Sequence, residues 1–490
     1  MGIIINQSIK NTIITYFGFG IGAINALFLY TIFLGKMNYG IVAFVLSAAN
    51  IMMPLMAFGV QNTLIRFYSK YNSEEERDNF LSLMLLLPLI LILPTIVFLY
   101  FFYPQITYFI LNENPNVAPF LWLIPLVGIF MGYFEIFYAW VKVHFQSVFG
   151  NFLSEVLTRV IILILLFSVN QNWIQKDTFV NSLSIVYGFQ CFAMMVFAMR
   201  VKMPFFKFQL PKNTKEIFIY SFFIIATGTV SVMLIDFDKV MIPAYQNISN
   251  NAFYSVAVFI AMVIMVPSRA MMQIIHPITA QLLNENKFEE LGVLYKKSAI
   301  NLQVFGGLIM LGIFLNCKEL YQLIPQEYSG GIAVVFLIGL SKFYDLILGN
   351  NTAIILNTKY YRWFLFFSIV LIALMIVLYM FLIPIYGIVG AALATLIAVI
   401  IYNTIKLLFV FWKMNLFPFT IKTVYSFGII SFVFLLFCFW DFQFHPILNI
   451  VFKSILITIV YGLLNYKLKI SIEINQILDK LRAKYSNVNN

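Results

Sequence analysis

Charged side chains within apolar segments are the residues of this chain whose types and spacing could support chemistry. Glu155 and Arg159 lie four residues apart, and Lys342 and Asp345 lie three residues apart. Such spacings place both members of a pair on one face of a helix. Ionisable groups inside a membrane are costly, and by default they mark a transport pathway or a buried pair. Two interpretations therefore stay open for each pair, a self-neutralising ion pair and one wall of a hydrated cavity.

Two more charged residues could face the same cavity. Glu135 lies in the inner half of the fourth apolar segment, and Arg269 follows Pro267, where we expect a helix to kink. A partner on a neighbouring helix is the alternative for both. Buried carboxylates can change protonation, so the candidates for coupling transport to H+ or Na+ are Glu155, Asp345 and Glu135. The polar side chains of early helices, which bind headgroups or bond across helices, are Asn25, Gln61 and Asn62.

Other reactive residue types predict no catalytic, metal or cofactor site. The histidines lack HxxxH or HxxE partners, and the three cysteines lack CxxC spacing. No GxxxxGK[ST] loop occurs, which excludes direct use of ATP by the usual phosphate cradle. A charged group at the outer end of the seventh segment is expected to snorkel to the interface, and it comprises Asp236, Asp238 and Lys239. We therefore expect a protein that is not an enzyme.

The elements that position these residues must be membrane-spanning helices. The chain is 62% hydrophobic and 10% charged with a mean hydropathy of +0.92, values that exclude a water-soluble globule. Unbroken apolar runs favour helices over a transmembrane barrel, whose strands alternate over about ten residues. About fourteen segments reach the roughly twenty residues that span a bilayer, at 12–34, 41–65, 80–103, 120–141, 148–168, 180–199, 217–235, 252–275, 298–316, 332–355, 363–383, 388–411, 424–440 and 447–466.

The net charge of +11 is explained by membrane orientation rather than by nucleic-acid binding. If the N-terminus is cytoplasmic, most of the 31 lysines and arginines fall in cytoplasmic segments, Lys406 among them. Four then fall in outer loops, namely Lys36, Lys176, Lys239 and Lys318. Since basic residues collect on the cytoplasmic side, this asymmetry predicts that both termini are cytoplasmic. No cleavable signal peptide is expected before the first span.

A polar stretch near the middle of the chain predicts two halves. Arg200–Glu216 carries two prolines and five basic residues, which favours a linker between two six-helix lobes. The predicted divisions are a first lobe at 1–205, a second lobe at 206–415, two added helices at 416–470 and a cytoplasmic tail at 471–490. The tail could form an amphipathic helix at the inner leaflet. Short outer loops argue against a membrane polymerase or ligase.

Several stretches in the expected order resemble the polysaccharide exporter family, which includes the O-antigen flippases. They include Ser8–Thr12, Phe33–Gly35 and Tyr39–Ile41 at the start of the chain, Asp238–Lys239 with Tyr254, Ala257, Pro267–Arg269 and Pro277 in the middle, and Leu382–Thr395 near the end. The run from Leu382 to Thr395 is similar to the most recognisable C-terminal signature of the family. The family belongs to the multidrug, oligosaccharidyl-lipid and polysaccharide exporter superfamily.

This resemblance implies an alternating-access transporter of the bacterial inner membrane. Its substrate would be an undecaprenyl-pyrophosphate-linked oligosaccharide for surface polysaccharide biosynthesis, handled together with other polysaccharide-assembly proteins. A pyrophosphate needs cationic groups, and the deep cations available are Arg159, Lys342 and Arg269. Weak sugar contacts would come from Asn25, Gln61 and Asn62. A cation-coupled multidrug or metabolite antiporter of the same superfamily is the alternative, and the two extra helices count against it.

Overall fold

The structure, a computed structural model, describes residues 2–111, 113–203, 210–211, 213–440, 444–476 and 479. Helices make up almost all of these residues, and no strand occurs among them. The predicted fold class, an all-α polytopic membrane protein, is confirmed. Two compact units are present, Met1–Ser255 (unit 1) and Val256–Asn490 (unit 2). The predicted lobes at 1–205 and 206–415 stay a prediction.

Unit 1 contains ten helices and the first part of an eleventh. They are α1 (Gly2–Ile24), α2 (Gly35–Met56), α3 (Val60–Phe67), α4 (Glu74–Leu86), α5 (Leu89–Leu111), α6 (Leu123–Val143), α7 (Ser147–Phe152), α8 (Thr158–Asn170), α9 (Lys176–Val201), α10 (Thr214–Met241) and α11 (Ser249–Met262). Two π-helical segments connect them, at Asn25–Leu34 and Leu153–Leu157. Short 3-10 turns lie at Tyr68–Lys70, Pro115–Phe120 and Ile242–Ala244.

Before the tail, the described part of unit 2 continues with eight more helices. They are α12 (Val266–Asn284), α13 (Phe288–Leu315), α14 (Cys317–Gln322), α15 (Ile332–Ile347), α16 (Asn351–Leu356), α17 (Tyr361–Met414), α18 (Ile421–Phe437) and α19 (Pro446–Lys467). A 3-10 turn at Val263–Met265 separates α11 from α12, directly before Pro267. Proline lacks a backbone N–H and is therefore suited to the first turn of the new helix.

Eleven helical segments of the described chain are long and apolar enough to cross a membrane. Two of them contain a backbone break, since Lys10–Met56 includes Gly35 at φ 73° and Arg362–Met414 includes Gly387 at φ 57°. A shorter apolar helix, Ile421–Phe437, lies between the last two. If each broken segment crosses twice and the shorter helix crosses once, the structure is compatible with the fourteen predicted spans.

The turn inside α17 explains part of the C-terminal signature. Gly387 adopts a left-handed backbone conformation that a side chain would disfavour. A Cβ atom on Gly390 would lie 2.0 Å from the carbonyl oxygen of Leu382, so only glycine permits this approach. Across the turn, the hydroxyls of Tyr379 and Thr395 are hydrogen-bonded at 2.8 Å. The glycines of the signature therefore reverse the chain between two long apolar helices.

Parts of two sequence predictions lie outside the described residues. These parts are 204–209 and Lys212 in the predicted linker, and Ile477, Leu478 and 480–490 in the tail. The described start of the tail is helical from Ile472 to Gln476. It is held to unit 2 by an ion pair between Lys297 Nζ and Glu473 Oε1 at 2.9 Å.

Candidate functional site

The Glu155 and Arg159 side chains form a direct ion pair in unit 1. Arg159 Nη2 lies 2.9 Å from Glu155 Oε2, and the two side chains are 30% and 25% exposed. The predicted local ion pair is therefore present, and both side chains still reach the protein surface. The second terminal nitrogen, Nη1, is buried without a hydrogen-bond partner among the described residues. Arg159 therefore has donor capacity that Glu155 does not use.

The first π-helical segment and α1 pack directly against this pair. Asn25 is buried and donates from Nδ2 to the backbone oxygen of Arg159 at 2.9 Å. Of the two roles predicted for Asn25, the bond across helices is the one observed. Gly18 lies against Glu155, where an added Cβ would come within 2.2 Å of the carbonyl oxygen. Glycine at this position allows α1 to approach the backbone that carries the ion pair.

Glu135 and Glu155 both act electrostatically on Tyr138. Glu135 and Tyr138 lie on α6, half-buried, and Lys142 Nζ lies 3.6 Å from the centre of the Tyr138 ring. Gly150 supports the opposite part of the ring, because an added Cβ there would lie 2.3 Å from Tyr138 Cδ2. The sequence did not predict that Tyr138 packs between Lys142 and Gly150.

Asp236 and Asp238 are buried and Lys239 is half-buried, so the expectation that the aspartates snorkel to the interface is wrong. Lys239 Nζ lies 2.8 Å from Asp236 Oδ1, which also accepts from Ser47 Oγ at 2.9 Å. The other aspartate accepts from the Tyr254 hydroxyl at 2.5 Å. Neighbouring helices supply these partners, so the charges can be satisfied without reaching water. Proximity to a helix end could not reveal them.

Lys342 and Asp345 lie half-buried on α15 in unit 2. Asp345 Oδ1 accepts a hydrogen bond from Asn403 Nδ2 on α17 at 2.9 Å. The hydroxyls of Tyr344 and Thr404 join the same two helices at 2.7 Å. Asp345 is thus part of a polar contact between α15 and α17.

Lys406 also belongs to this region; it is buried inside a helix rather than placed in a connecting segment, and its cytoplasmic side stays a prediction. It lies within α17 and is 3% exposed. Nζ donates to Thr352 Oγ1 at 3.1 Å. The charge count treated Lys406 as a residue near a helix end. In the structure α17 continues to Met414, and α15 and α16 pack against α17.

The remaining predicted site residues have little or no contact with these clusters. Arg269 is exposed on α12 and makes no hydrogen bond or ion pair with the described residues. Asn62 is exposed on α3, whereas Gln61 Oε1 is buried without a partner among the described residues.

Unit 2 also contains a buried ion pair, which the sequence did not predict. Lys453 on α19 and Glu319 on α14 are 5% and 6% exposed, and Nζ lies 3.6 Å from Oε1. Asn316 Nδ2 donates to Ser454 Oγ beside it at 3.2 Å. Glu319 lies on a six-residue polar helix outside the predicted spans, so nothing in the sequence indicated a buried charge there.

Residues 5–283 match a family model described as "Polysaccharide biosynthesis protein". This match covers more than half of the chain. The chain belongs to the polysaccharide biosynthesis protein family. No curated protein sequence matches it.

Solved structures show that this family member has the fold of known transporters. It is similar to the lipid II flippase MurJ in an inward closed conformation, with a TM-score of 0.74 and 16% identity over 94% of this chain and 99% of that one. The MATE multidrug transporter DinF-BH gives a TM-score of 0.56 and 14% identity over 86% and 97%. An inward-facing multidrug resistance MATE transporter of the MOP superfamily gives a TM-score of 0.58 and 10% identity, over 82% of this chain and 94% of that one.

The family-model match confirms the predicted family. The flippase and the multidrug transporters share the fold of this chain. The protein is therefore a multi-pass membrane protein with a flippase and drug-transporter fold. The fold is common to both kinds of transporter and does not choose between their substrates.

Proposed function

We propose that the protein flips an undecaprenyl-pyrophosphate-linked oligosaccharide from the cytoplasmic to the periplasmic leaflet of the inner membrane. Membership of the polysaccharide biosynthesis family carries this proposal. Its similarity to a lipid II flippase supports it, because that protein is also named for a lipid-linked substrate. Both termini are cytoplasmic in this proposal, and the assembled oligosaccharide passes to other polysaccharide-assembly proteins.

Two arginines that retain donor capacity, together with one lysine, are the groups we assign to the pyrophosphate. Arg159 keeps a terminal nitrogen that Glu155 does not occupy, and Arg269 has no ion-pair partner among the described residues. Lys342 is the third cation, half-buried on α15. Guanidinium groups bind phosphate oxygens through paired N–H donors, which suits a charged headgroup that must also be released. Gln61 and Asn62 are assigned weak sugar contacts, whereas Asn25 is already bonded to α8.

The size of the substrate favours a route in which only its headgroup enters the protein. Several sugars cannot be fully dehydrated by a few polar side chains, so the passage must be hydrated. The lipid tail can remain in the bilayer, where it is already solvated. Transport then requires only that the bound headgroup favours one access state over the other at each stage.

Deleting the gene tests this function directly. We expect lipid-linked oligosaccharide to accumulate in the cytoplasmic leaflet and the corresponding surface polysaccharide to be lost. The accumulated lipid-linked oligosaccharide, reconstituted with the purified protein in vesicles, should move between leaflets at a rate that depends on the protein. Arg159→Ala, Arg269→Ala and Lys342→Ala should each slow transport about tenfold or more, as expected for a lost charge-assisted hydrogen bond. Lys413→Ala, an exposed lysine near the end of α17, is the matched control.

A cation-coupled multidrug antiporter is the second candidate, favoured by the two MATE transporters of similar fold. In that case Glu155, Asp345 and Glu135 would be the groups that bind H+ or Na+. Deletion would leave surface glycan unchanged and would increase sensitivity to cationic drugs. That result would replace the flippase proposal with the antiporter proposal.

A further inference from the structure

Lys406 is a buried cation to which the proposed headgroup route gives no role. It lies on α17, about two turns before the end of the helix at Met414. Its Nζ donates to Thr352 Oγ1 at 3.1 Å and lies 4.3 Å from the centre of the Tyr402 ring. A hydroxyl and an aromatic face stabilise an ammonium group less than a carboxylate in contact does. The charged form of Lys406 is therefore only partly compensated.

Asp345 acts on Lys406 without touching it. No carboxylate of the described residues lies within ion-pair distance of Lys406 Nζ, and Asp345 is the acidic group that interacts with it electrostatically. Asp345 Oδ1 instead accepts from Asn403 Nδ2 at 2.9 Å. Burial disfavours the ammonium form, and the nearby negative charge favours it. The ammonium form of Lys406 is therefore stabilised less than that of a lysine in contact with a carboxylate.

Buried amide groups beside Lys406 indicate bound water. Asn351 Oδ1, Asn351 Nδ2 and Asn403 Oδ1 are buried and have no hydrogen-bond partner among the described residues. The two asparagines are 2% and 1% exposed. Buried polar atoms of this kind are normally satisfied by ordered water, which needs several polar partners. Water at these atoms would give a proton a route to and from the amine.

The helices that pack most closely against α17 in this region are α15 and α16. No residue of α16 is titratable, since it consists of Asn351–Leu356. The titratable side chains of α15 and of this part of α17, apart from Lys406, are Lys342, Tyr344, Asp345 and Tyr402. Asp345 is the acidic member of this group, so it is the negative charge that interacts with Lys406.

We propose that Lys406 binds and releases a proton during the transport cycle and thereby couples transport to a proton gradient. Nζ passes its proton to water when it becomes an amine and regains one from water when it becomes an ammonium group. The exchange needs no other reactant and no cavity larger than a water molecule. This inference rests on the proposed function, because it identifies the ion that would drive that transport.

The titration of Lys406 can be measured without any substrate. We would label the purified wild-type protein with carbon-13 at the lysine ε-carbons and assign Lys406 by its loss in Lys406→Met. Its signal should report a change of charge within the pH range over which an ordinary lysine, with a pKa of about 10.4, stays charged. The exposed Lys413, assigned in the same way, should stay charged throughout. A Lys406 signal that also stays charged over this range would overturn the proposal.

Transport in vesicles gives the second readout. The probe is the lipid-linked oligosaccharide that accumulates in cells lacking the gene. An imposed pH gradient should accelerate its movement by the wild-type protein and not by Lys406→Met or Lys406→Arg, because methionine carries no proton and arginine does not release one. Equal acceleration in wild type and Lys406→Met would refute proton coupling at this site. An absence of movement in all vesicles would refute the flippase function, and the titration would then decide the proton site independently.

Discussion

Two half-buried cations of unit 1 are paired by contact with a carboxylate, whereas the buried Lys406 of unit 2 has no such contact among the described residues. Arg159 and Lys239 each lie within 2.9 Å of a carboxylate oxygen. Lys406 donates to a threonine hydroxyl, and Asp345 accepts from an amide. A contact pair is close to neutral and holds its helices together, while a separated cation can change its charge at small cost. Contact between opposite charges, more than burial, therefore separates structural groups from groups able to exchange protons.

Unit 2 also contains a contact pair, which shows that the difference does not belong to the units themselves. Lys453 and Glu319 are as deeply buried as Lys406, and their charged atoms are 3.6 Å apart. They connect α19 to α14. If contact is the deciding property, this pair should behave like the pairs of unit 1.

The largest expected effect is the loss of a paired cation from unit 1. Lys239→Met leaves Asp236 and Asp238 buried without their counter-charge, at a cost of about 3–5 kcal/mol in stability. Lys406→Met in unit 2 removes an unpaired charge and should change stability by less than about 1 kcal/mol, or increase it. The thermal stability of both variants in detergent and their abundance in the membrane would be compared. If both were destabilised equally, contact pairing would not explain the difference between the two lysines.

The pair in unit 2 should give an effect of similar size that a second substitution reverses. Lys453→Met and Glu319→Gln should each destabilise the protein by about 3–5 kcal/mol, because each leaves one buried charge alone. The double variant should cost less than the sum, as measured by a double-mutant cycle of thermal unfolding. Lys318→Met, at the exposed neighbour of Glu319, is the control. Strict additivity would show that the two charges do not interact.

A smaller effect is expected where backbone approach positions the unit 1 pair. Gly18→Ala places a methyl group 2.2 Å from the Glu155 carbonyl oxygen, and such overpacking costs about 1–3 kcal/mol. An added Cβ at Gly20, two residues along α1, meets nothing within 4 Å. Gly20→Ala should therefore be neutral or slightly stabilising, since alanine favours helix. Thermal unfolding compares the two, and an equal effect would rule out the close approach at Gly18.

Hydrophobic periodicity predicted the class of the fold and the residue pair that lies on one helix face. The four-residue spacing of Glu155 and Arg159 was sufficient, because neighbours on a helix are determined by local geometry. The three-residue spacing of Lys342 and Asp345 likewise lies within one helix, α15, and the amide partner of Asp345 on α17 was not predicted. Local geometry cannot reveal a partner that lies many residues away along the chain.

The burial of residues near helix ends was not predicted. Lys406 was counted among the basic residues of the cytoplasmic side and Asp236 was expected at the interface, because both lie near the limits of apolar runs. Their burial depends on how far α17 and α10 continue and on which helices cover them. No sequence pattern indicated the contacts of Glu319 and Tyr138. The partner of Glu319 is Lys453, which lies far away along the chain. Tyr138 packs against Gly150 of the next helix.

The sequence by itself determined that this chain spans a membrane through helices, since roughly twenty apolar residues in a row have no other stable environment. It also determined the family, through glycines and prolines whose backbone roles are local. Tertiary structure alone decided which polar groups from different helices meet. Asp236 accepts from Ser47, while among the described residues Lys406 Nζ meets a threonine hydroxyl and an aromatic ring. Electrostatic energy depends on distances of a few ångströms between helices, which the order of residues does not specify.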